Sequence, residues 1–423
     1  MSKPTFVDLF AGCGGLSLGL MQAGWTGLFA VEKDPRAFRT LEANLIAGSR
    51  GPRFNWPDWL PQSPCEIGDF NKLYWQRLKD LRGNLDLVAG GPPCQGFSFA
   101  GRRNQGDPRN RLFERFVTVV KMTRPRYILL ENVTGIDIAL GKKAHEANGR
   151  LGRPPKSFAD RICEQLGDDL NYSVFAGEVR ADECGVAQWR PRFFLIGIRH
   201  DLMSDSSMID PFEIFDLVRP DFLRGKGINP SRRIGVKEAL SDLETRGREL
   251  IPYPHPPRGY KQIRYEGPET AYQKLLHGDL NGTPPNSLRL ANHRDRTVAR
   301  FRKIIATCRP GVSLSAADKK RLGGIKKHTL VLLDPHSPSH TITSLPDDIV
   351  HYSEPRILTV REMARLQSFP DWWEFRGKYT TGGKARRSEA PRYTQVANAV
   401  APFVAELFGE TLLTLDLMLN ESL

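Results

Sequence analysis

Cysteine is scarce in this sequence: there are six among 423 residues, and no two of them form a C-x-x-C pair. Pairs of that spacing are typical of disulfide frameworks and of cysteine-rich zinc sites. His336 and His340 lie four residues apart, but Pro335 and Pro338 prevent the helix that would bring them to one face. We therefore expect free thiols and no bound metal ion.

The sequence also lacks long apolar runs, internal repeats and low-complexity segments, and we expect no signal peptide. A membrane-spanning helix needs roughly 20 apolar residues, and the N-terminus has neither the apolar stretch nor the cleavage site of a secretory signal. With 40% hydrophobic and 26% charged residues, the composition is that of a globular protein. The length predicts one large and one smaller domain, and we expect a cytoplasmic monomer that does not contact membranes.

Positive charge is concentrated in one part of the chain. The net charge is +13, with 61 Lys and Arg against 48 Asp and Glu. The stretch from Phe222 to Leu330 holds 23 of these basic residues and only 9 acidic ones, so the rest of the chain is close to neutral. A compact basic excess can be a solvated face, but it is more typical of a protein that binds a polyanion. We interpret this stretch as a nucleic-acid-binding surface.

Apolar runs and amphipathic segments alternate through the first half of the chain. The strand-like runs are Thr5 to Phe10, Gly27 to Glu32, Leu85 to Ala89, Tyr127 to Leu130, Asn171 to Val179 and Arg192 to Arg199. The helix-like segments are Gly15 to Ala23, Pro35 to Ala47 and Arg111 to Met122. This alternation predicts an α/β fold with a doubly wound, mostly parallel sheet.

The alternation stops from about Asp201 to Pro355, where prolines, glycines and basic residues interrupt short apolar pieces. We predict a catalytic domain formed by residues 1–200 plus 356–423 and a smaller, irregular domain formed by residues 201–355. Gly48 to Pro64 shows no clear periodicity and is interpreted as a surface excursion. Gln395 to Leu419 has the apolar spacing of a long terminal helix.

The first strand ends in a glycine-rich turn, DLFAGCGGLSLG, from Asp8 to Gly19. Glycines let backbone amides approach a ligand, although many strand-to-helix turns carry glycine for geometry alone. Two carboxylates favour the interpretation of this turn as part of a ligand site: Glu32 ends the next strand, and Asp69, in the sequence GDF, is expected to end a third. Polar groups at successive strand ends predict a nucleoside pocket. The ligand is expected to be a single nucleoside rather than a dinucleotide, because the G-x-G-G spacing differs from the G-x-G-x-x-G of dinucleotide sites.

Two reactive side chains are expected at neighbouring strand ends. One strand leads into GGPPCQGFS, where prolines keep the backbone near Cys94 extended and the small, polar neighbours are unsuited to a core. We interpret Cys94 as a nucleophile rather than an inert core thiol. The strand YILLENV ends in Glu131, whose partly desolvated carboxyl would have a raised pKa and could donate a proton. The alternative is a structural carboxylate that caps a helix or lies at the edge of the sheet.

These segments resemble, in order, the motifs of the cytosine carbon-5 DNA methyltransferases. DLFAGCGG is similar to the first motif of that family and GGPPCQGFS to the catalytic one; ENV and the Q-x-R-x-R segment from Gln188 to Arg192 follow. Arg356 to Asp371 is similar to the ninth motif, and Gln395 to Pro402 stands where the tenth should be. The resemblance covers about Thr5 to Arg199 and Arg356 to Leu407.

The resemblance implies that the substrate is a cytosine flipped out of double-stranded DNA. Cys94 would attack ring carbon 6 while Glu131 protonates the ring nitrogen. Arg192 would contact the cytosine carbonyl oxygen, and Arg190 would hold the loop or a phosphate, although both arginines could instead be structural. The basic segment would be the target recognition region, and Phe97 to Asn110 would be a lid that closes over DNA.

The resemblance also implies S-adenosylmethionine as the cofactor. Its contacts would come from Phe10, Gly12, Gly14, Glu32, Asp69, Phe70 and Asn398. Phe10 would stack on the cofactor, the glycines would shape its loop, Glu32 would hold the ribose, and Asp69 with Phe70 would flank the adenine. The tenth motif departs from the family's Gly-Asn-Ser, because Ala397 and Ala399 flank Asn398. The resemblance places Asn398 near the methionine end of the cofactor, and we expect the absence of the glycine and the hydroxyl to alter the cofactor affinity.

Three other functions remain open on the sequence. An RNA cytosine-5 methyltransferase shares the fold and the Cys and ENV motifs, although the 155 residues from Asp201 to Pro355 favour DNA. A non-enzymatic DNA-binding regulator would explain the charge but not Cys94, Glu131 and Arg192 together. A nucleoside-binding dehydrogenase fails on the glycine pattern and the basic domain. A restriction endonuclease acting on the same DNA site is a further partner to consider.

Overall fold

The computed structural model describes residues 3–93, 111–133, 158–203, 209–280, 282–381 and 389–421. Its main sheet has six strands: β1 Thr5–Leu9, β2 Thr26–Val31, β3 Leu87–Gly90, β4 Tyr127–Asn132, β5 Tyr172–Arg180 and β6 Pro191–Arg199. Their spatial order is β2-β1-β3-β4-β6-β5. The first four strands are parallel, and β6 runs antiparallel to both of its neighbours. The predicted α/β fold with a mostly parallel sheet is confirmed.

Helices cover both faces of this sheet. In the first part of the chain they are α1 Gly15–Gln22, α2 Pro35–Leu41, α3 Ile67–Leu73, α4 Trp75–Asp80, α5 Arg111–Thr123 and α6 Phe158–Gly167. Successive strand residues point to opposite faces: Tyr127 and Leu129 of β4 join the core on one face, and Ile128 and Leu130 join the core on the other. Burial on both faces explains why these strands are continuous apolar runs.

The expected third strand ending at Asp69 is wrong, because residues Ile67–Leu73 form α3. The Glu66 side chain starts this helix by accepting hydrogen bonds from the backbone amides of Gly68, at 2.6 Å, and Asp69, at 3.3 Å. A carboxylate at this position satisfies amides that have no partner within the helix. Asp69 then lies exposed in the first turn, and Phe70 is buried in the core.

The segment from Gly48 to Pro64 is more than the surface excursion that was predicted. Phe54 and Leu60 are buried, at 8% and 7% exposure. The Phe54 ring centroid lies 6.1 Å from that of Phe6 on β1, and the Phe54 amide donates to the Leu45 carbonyl at 2.9 Å. Aromatic residues at irregular spacing therefore bind this segment to the core, which a search for periodicity does not reveal.

The C-terminal part of the chain forms two helices, α13 Arg392–Asn398 and α14 Pro402–Glu421, rather than the single helix that was predicted. The backbone is extended at Ala399, with ψ 148°. Pro402 has no amide hydrogen and disfavours a helical residue before it, so the second helix has to start anew. The stretch Arg392–Asn420 is long and apolar enough to cross a bilayer, but most of it is buried within the protein, where α14 packs against α1.

The region after β6 contains short elements. These are α7 Pro211–Gly225, α8 Val236–Leu240, β7 Leu250–Pro252, β8 Lys261–Ile263, α9 Ala271–His277, α10 Asp295–Thr307, α11 Ala316–Arg321, β9 Val331–Leu332, β10 Ile349–Val350 and α12 Val360–Leu366. Helix α7 packs against α14 through Phe215 and Phe408, whose ring centroids are 4.6 Å apart. The division into domains of residues 1–200 plus 356–423 and residues 201–355 remains a prediction.

The segment that resembles the ninth motif buries its charges. Arg365 is fully buried and donates to Asp371, at 2.6 Å, and to Asp242 from the irregular region. Because desolvating an unpaired ion costs several kcal/mol, these pairs have to form for the segment to pack. Arg365 therefore links the irregular region to the segment that resembles the ninth motif.

Candidate active site

A cavity of about 350 Å³ lies at the carboxyl ends of the parallel strands β1, β2, β3 and β4. Ligand sites of open α/β sheets lie at this edge. The predicted site residues that line the cavity are Phe10, Gly12, Glu32, Glu131, Arg190, Arg192 and Asn398. The first four of these residues meet there because the parallel strands end at this edge, whereas Arg190 and Arg192 lie at the start of the antiparallel strand β6 and Asn398 lies at the end of α13.

The glycine-rich turn forms the floor of this cavity. Phe10 has φ 62° and Gly12 has φ 57°, both in the left-handed region, so the chain turns sharply after β1. Gly14 has φ 93° and precedes α1 without lining the cavity itself. A Cβ atom on Gly14 would lie 3.2 Å from Cδ1 of Leu45, so this glycine allows the turn to pack closely against α2 and its continuation.

Glu32 points into the cavity from the end of β2. Its Oε2 accepts a hydrogen bond from the Gly12 amide at 2.9 Å, and its Oε1 accepts one from the Asp34 amide at 2.7 Å. Burial raises the pKa of this carboxyl above its usual value. These two hydrogen bonds hold the Glu32 side chain in place. Each carboxylate oxygen has a second lone pair, so Glu32 can still accept hydrogen bonds from the hydroxyl groups of a ligand.

Glu131 and Arg192 face each other on the neighbouring strands β4 and β6. Nε of Arg192 lies 3.1 Å from Oε1 of Glu131, and both side chains are largely buried, at 16% exposure for the arginine and 12% for the glutamate. Burial raises the pKa of Glu131, and the charges of Arg192 and Arg190 oppose that rise without cancelling it. A carboxyl group with a raised pKa can hold a proton at a higher pH than a free glutamate and can deliver it to a ligand.

Arg190 is buried at the same cavity and binds the tenth-motif segment. Its Nη2 donates to the carbonyl oxygens of Ala397, at 2.8 Å, and Ala399, at 3.2 Å. Its Nη1 is buried without a partner among the described residues. Because Arg190 binds backbone carbonyls, the alanine side chains that depart from the family pattern do not alter these contacts.

The predicted nucleophile Cys94 and the predicted lid, Phe97 to Asn110, lie outside the described residues. The chain that leads to them is placed beside Glu131. A Cβ atom on Gly91 would lie 3.2 Å from Oε2 of Glu131, and Nδ2 of Asn132 donates to the Pro92 carbonyl at 2.9 Å. The segment before Cys94 is thus tied to the end of β4.

Asp69 and Phe70, which were expected to flank an adenine, do not line the cavity. Asp69 is exposed on α3, and the Phe70 ring packs 5.6 Å from Phe29 in the core. The cavity is lined at this position by Glu66 and Ile67 instead. The residues that line the cavity therefore precede the expected pair by three positions, because α3 starts at Ile67 and carries Asp69 and Phe70 away from the cavity.

Asp8 and Cys13 are among the cavity residues that were missed on the sequence. Asp8 is fully buried on β1; it accepts a hydrogen bond from Ser17, its Oδ1 has no partner among the described residues, and burial raises its pKa to about 7. A carboxylate inside the apolar run TFVDLF was the available signal. Cys13 also lines the cavity, but burial raises the pKa of its thiol to about 12. Cys13 is therefore a poor source of thiolate at neutral pH.

A model of the family C-5 cytosine-specific DNA methylase matches residues 4–414 of the chain. The chain belongs to this family. It is therefore a DNA cytosine-5 methyltransferase, and the RNA alternative is not favoured. In the part of the chain that the structure describes, no group of three or more His, Cys, Asp and Glu side chains is placed to hold a metal ion.

Similar individual proteins support the assignment to this family. Type II methyltransferase M.DdeI of Desulfomicrobium norvegicum is 30% identical over 96% of this chain and 87% of its own length. Type II methyltransferase M.AgeI of Thalassovita gelatinovora is 26% identical over 96% of this chain and 98% of its own. Among solved structures, a putative DNA modification methyltransferase encoded within a prophage of E. coli has a TM-score of 0.65 at 24% identity, covering 98% of this chain and 99% of that one. This last similarity shows the shared fold.

Proposed function

We propose that this methyltransferase binds S-adenosylmethionine in the cavity and methylates ring carbon 5 of a cytosine extruded from duplex DNA, with Cys94 as the nucleophile and Glu131 as the acid. The observation that carries the proposal is the contact between Arg192 and Glu131 at the cavity wall. It puts a carboxyl with a raised pKa and a cation beside the chain segment that leads to Cys94.

The cavity is suited to S-adenosylmethionine. Its volume of about 350 Å³ is within the usual range for small-molecule sites, and Glu32 is held so that it can accept both ribose hydroxyls. Phe10 would stack on the cofactor, Gly12 and Gly14 would shape its loop, and Asn398 would contact its methionine end. When bound, the cofactor supplies an electrophilic methyl group on a sulfonium sulfur.

The protein's own side chains would activate the base. Carbon 5 of cytosine is a weak nucleophile, so attack of the Cys94 thiolate on carbon 6 has to convert the ring into an enamine. Glu131 gives a proton to ring nitrogen 3, which prevents negative charge from accumulating, and Arg192 donates to the carbonyl oxygen at carbon 2. After methylation a base removes the carbon-5 proton, the Cys94 sulfur leaves as a thiolate, and the aromatic ring is restored.

The basic segment would bind the DNA backbone. Helix α10 and its flanks carry exposed positive side chains, namely Arg294, Arg296, Arg300, Arg302 and Lys303. Within the described ranges none of these five forms an ion pair with a carboxylate, in contrast to Arg232, which pairs with Glu238. Free cations on one helix are suited to phosphate contacts. Those contacts would help to offset the few kcal/mol needed to extrude a base.

A methylation assay with labelled S-adenosylmethionine tests this proposal. Duplex DNA and RNA transcripts of the same sequence are incubated with the wild-type protein and with the Cys94→Ser variant. We expect label in 5-methylcytosine of DNA, none in RNA, and none with the variant. Label in RNA alone would overturn the DNA assignment, and full activity of Cys94→Ser would overturn the assigned nucleophile. Bisulfite sequencing of the methylated DNA then identifies the target site.

Three expectations about the cellular setting are part of the proposal. The type II relatives suggest that a restriction endonuclease of the same specificity accompanies this chain, as a partner in function rather than in a complex. We propose that the protein acts as a monomer in the cytoplasm. Size-exclusion chromatography with light scattering, with and without duplex DNA, checks the monomer.

A further inference from the structure

Gln367 is a fully buried glutamine in the segment that resembles the ninth motif. Its Nε2 donates hydrogen bonds to two backbone carbonyl oxygens, that of Val396 at 3.0 Å and that of Ala399 at 3.3 Å. These acceptors lie 29 and 32 positions farther along the chain. A single side chain thus joins the ninth-motif segment to the end of α13.

The end of α13 carries carbonyl groups that lie beyond the regular hydrogen bonds of the helix. The last four carbonyls of an α-helix have no regular amide partner within it, and the backbone is extended at Ala399. Val396 and Ala399 are buried, at 0% and 8% exposure, so their carbonyl groups need donors from the protein. Gln367 supplies donors to both of these residues, and Arg190 supplies donors to Ala397 and Ala399.

Asn398 lies between the carbonyl groups that these two side chains hold. It is exposed and lines the cavity, whereas Ala397 and Ala399 on either side of it are buried. Without the two donors the end of the helix would be free to turn, and the Asn398 side chain would move with it. The hydrogen bonds of Gln367 and Arg190 therefore fix the position of Asn398 in the cavity wall.

The Gln367 side chain is itself oriented by Gln188. Its Oε1 accepts a hydrogen bond from Nε2 of Gln188 at 3.1 Å, which leaves its Nε2 for the end of α13. Oε1 of Gln188 in turn accepts from the Ile342 amide at 2.9 Å, and both glutamines are fully buried. Because both ends of its amide group are engaged and Gln367 does not line the cavity, this side chain is placed to hold backbone rather than to contact a ligand.

We propose that Gln367 is a positioning residue for the methionine end of the cofactor: with Arg190 it holds the end of α13 so that Asn398 contacts that part of the ligand. This inference rests on the proposed function, in which S-adenosylmethionine occupies the cavity and Asn398 faces its methionine end. A glutamine that only stabilised the fold would not affect one part of the ligand more than another.

Gln273 provides a matched control. It is also fully buried, and its Nε2 donates to the Glu238 carbonyl at 3.0 Å and to Oγ of Ser241 at 2.9 Å. These contacts lie within the irregular region, and Gln273 does not line the cavity. Gln367→Met and Gln273→Met therefore remove the same amide group from two buried positions, and methionine keeps nearly the length of glutamine without its donors.

A pair of ligands tests the role of Gln367. S-adenosylmethionine and 5′-methylthioadenosine share the adenine, the ribose and the sulfur, but the second ligand lacks the amino-acid part. Isothermal titration calorimetry gives the affinities of both ligands for wild type, Gln367→Met, Gln273→Met and Glu32→Ala. Thermal melting gives the stability of each protein.

We expect Gln367→Met to weaken S-adenosylmethionine binding by roughly 5- to 20-fold, the net contribution of one to two hydrogen bonds. Its affinity for 5′-methylthioadenosine should stay close to that of wild type, because that ligand has no methionine end to be held. Gln273→Met should lower the melting temperature and leave both affinities unchanged. Glu32→Ala should weaken both ligands, because both carry the ribose hydroxyls.

The outcomes separate the inference from the function on which it rests. If Gln367→Met binds S-adenosylmethionine as wild type does, the inference is wrong while the proposed function stands. If Gln367→Met weakens both ligands equally, or if Gln273→Met weakens S-adenosylmethionine to the same extent, Gln367 is only structural and the inference is also wrong. If the wild-type protein does not bind S-adenosylmethionine, the proposed function itself is contradicted.

Discussion

Arg192 and Glu131 form a largely buried contact, with 3.1 Å between Nε and Oε1, at the wall of the cavity. The two residues lie on antiparallel neighbouring strands, so the sheet itself holds their side chains together. The arginine fixes the orientation of the carboxyl, and burial keeps its pKa raised. This combination is suited to a group that has to give up a proton to a bound base.

Replacing Glu131 by Gln should lower kcat by roughly 10²- to 10⁴-fold, the usual contribution of a positioned acid. The wild-type rate should fall as the pH rises through the raised pKa of Glu131, because only the protonated form donates. The variant should lack this falling limb. Profiles of kcat/KM against pH for the two proteins check both points, and an unchanged rate in Glu131→Gln would show that another group supplies the proton.

Replacing Glu32 by Ala should weaken S-adenosylmethionine binding by about 1 to 3 kcal/mol, because ligand hydroxyls lose their acceptor. Asp69→Ala is the control: Asp69 was a cofactor candidate on the sequence, but it is exposed outside the cavity, so its variant should bind normally. Isothermal titration calorimetry gives both affinities. Equal reductions of affinity in the two variants would contradict the assignment of Glu32 to the ribose.

Replacing Arg190 by Lys should impair cofactor binding and turnover together. A lysine side chain is one bond shorter and ends short of Nη2, the single nitrogen that donates to both carbonyl oxygens, so Ala397 and Ala399 would lose their shared donor. We expect the KM for S-adenosylmethionine to rise and kcat to fall. Arg192→Lys, which leaves the tenth-motif hydrogen bonds in place, should lower kcat with little change in that KM; identical effects of the two substitutions would argue against separate roles.

DNA affinity should fall steeply with salt, because binding of cationic side chains to phosphates releases counterions. Replacing Arg300 or Arg302 on α10 by Gln should reduce the slope of log K against log salt by about 1 for each phosphate that is no longer neutralised. Arg232→Gln, which removes a cation already paired with Glu238, should leave the slope unchanged. A wild-type slope near zero, measured by fluorescence anisotropy, would remove the basis for a phosphate-binding α10.

Much of the cavity could be predicted because parallel strands end at one edge of a sheet. Glu32 and Glu131 follow apolar runs, so their convergence follows from strand direction alone. Asp69 and Phe70 lie outside the cavity for a local reason. A glutamate cap at Glu66 starts α3 early, and the capping role of a side chain depends on backbone geometry that residue types do not specify.

Long-range interactions could not be predicted from the sequence. Arg190 binds carbonyls more than 200 positions away along the chain, and backbone acceptors carry no residue signature. The pairing of Arg365 with Asp242 across the irregular region is hidden for the same reason. Phe54 and Leu60 occupy the core from a segment without periodicity, so only tertiary packing shows that they are buried.

Covalent trapping tests the central claim most directly. A duplex carrying 5-fluorocytosine at the target position is mixed with the protein with and without S-adenosylmethionine and analysed on a denaturing gel. Cys94 attack and methylation can proceed, but fluorine cannot leave as a cation, so elimination stops and the protein should stay bonded to the DNA. We expect an adduct that requires the cofactor, forms slowly with Glu131→Gln and is absent with Cys94→Ser. An adduct with Cys94→Ser, or equal trapping of wild type without the cofactor, would contradict the assigned nucleophile or the order of the steps.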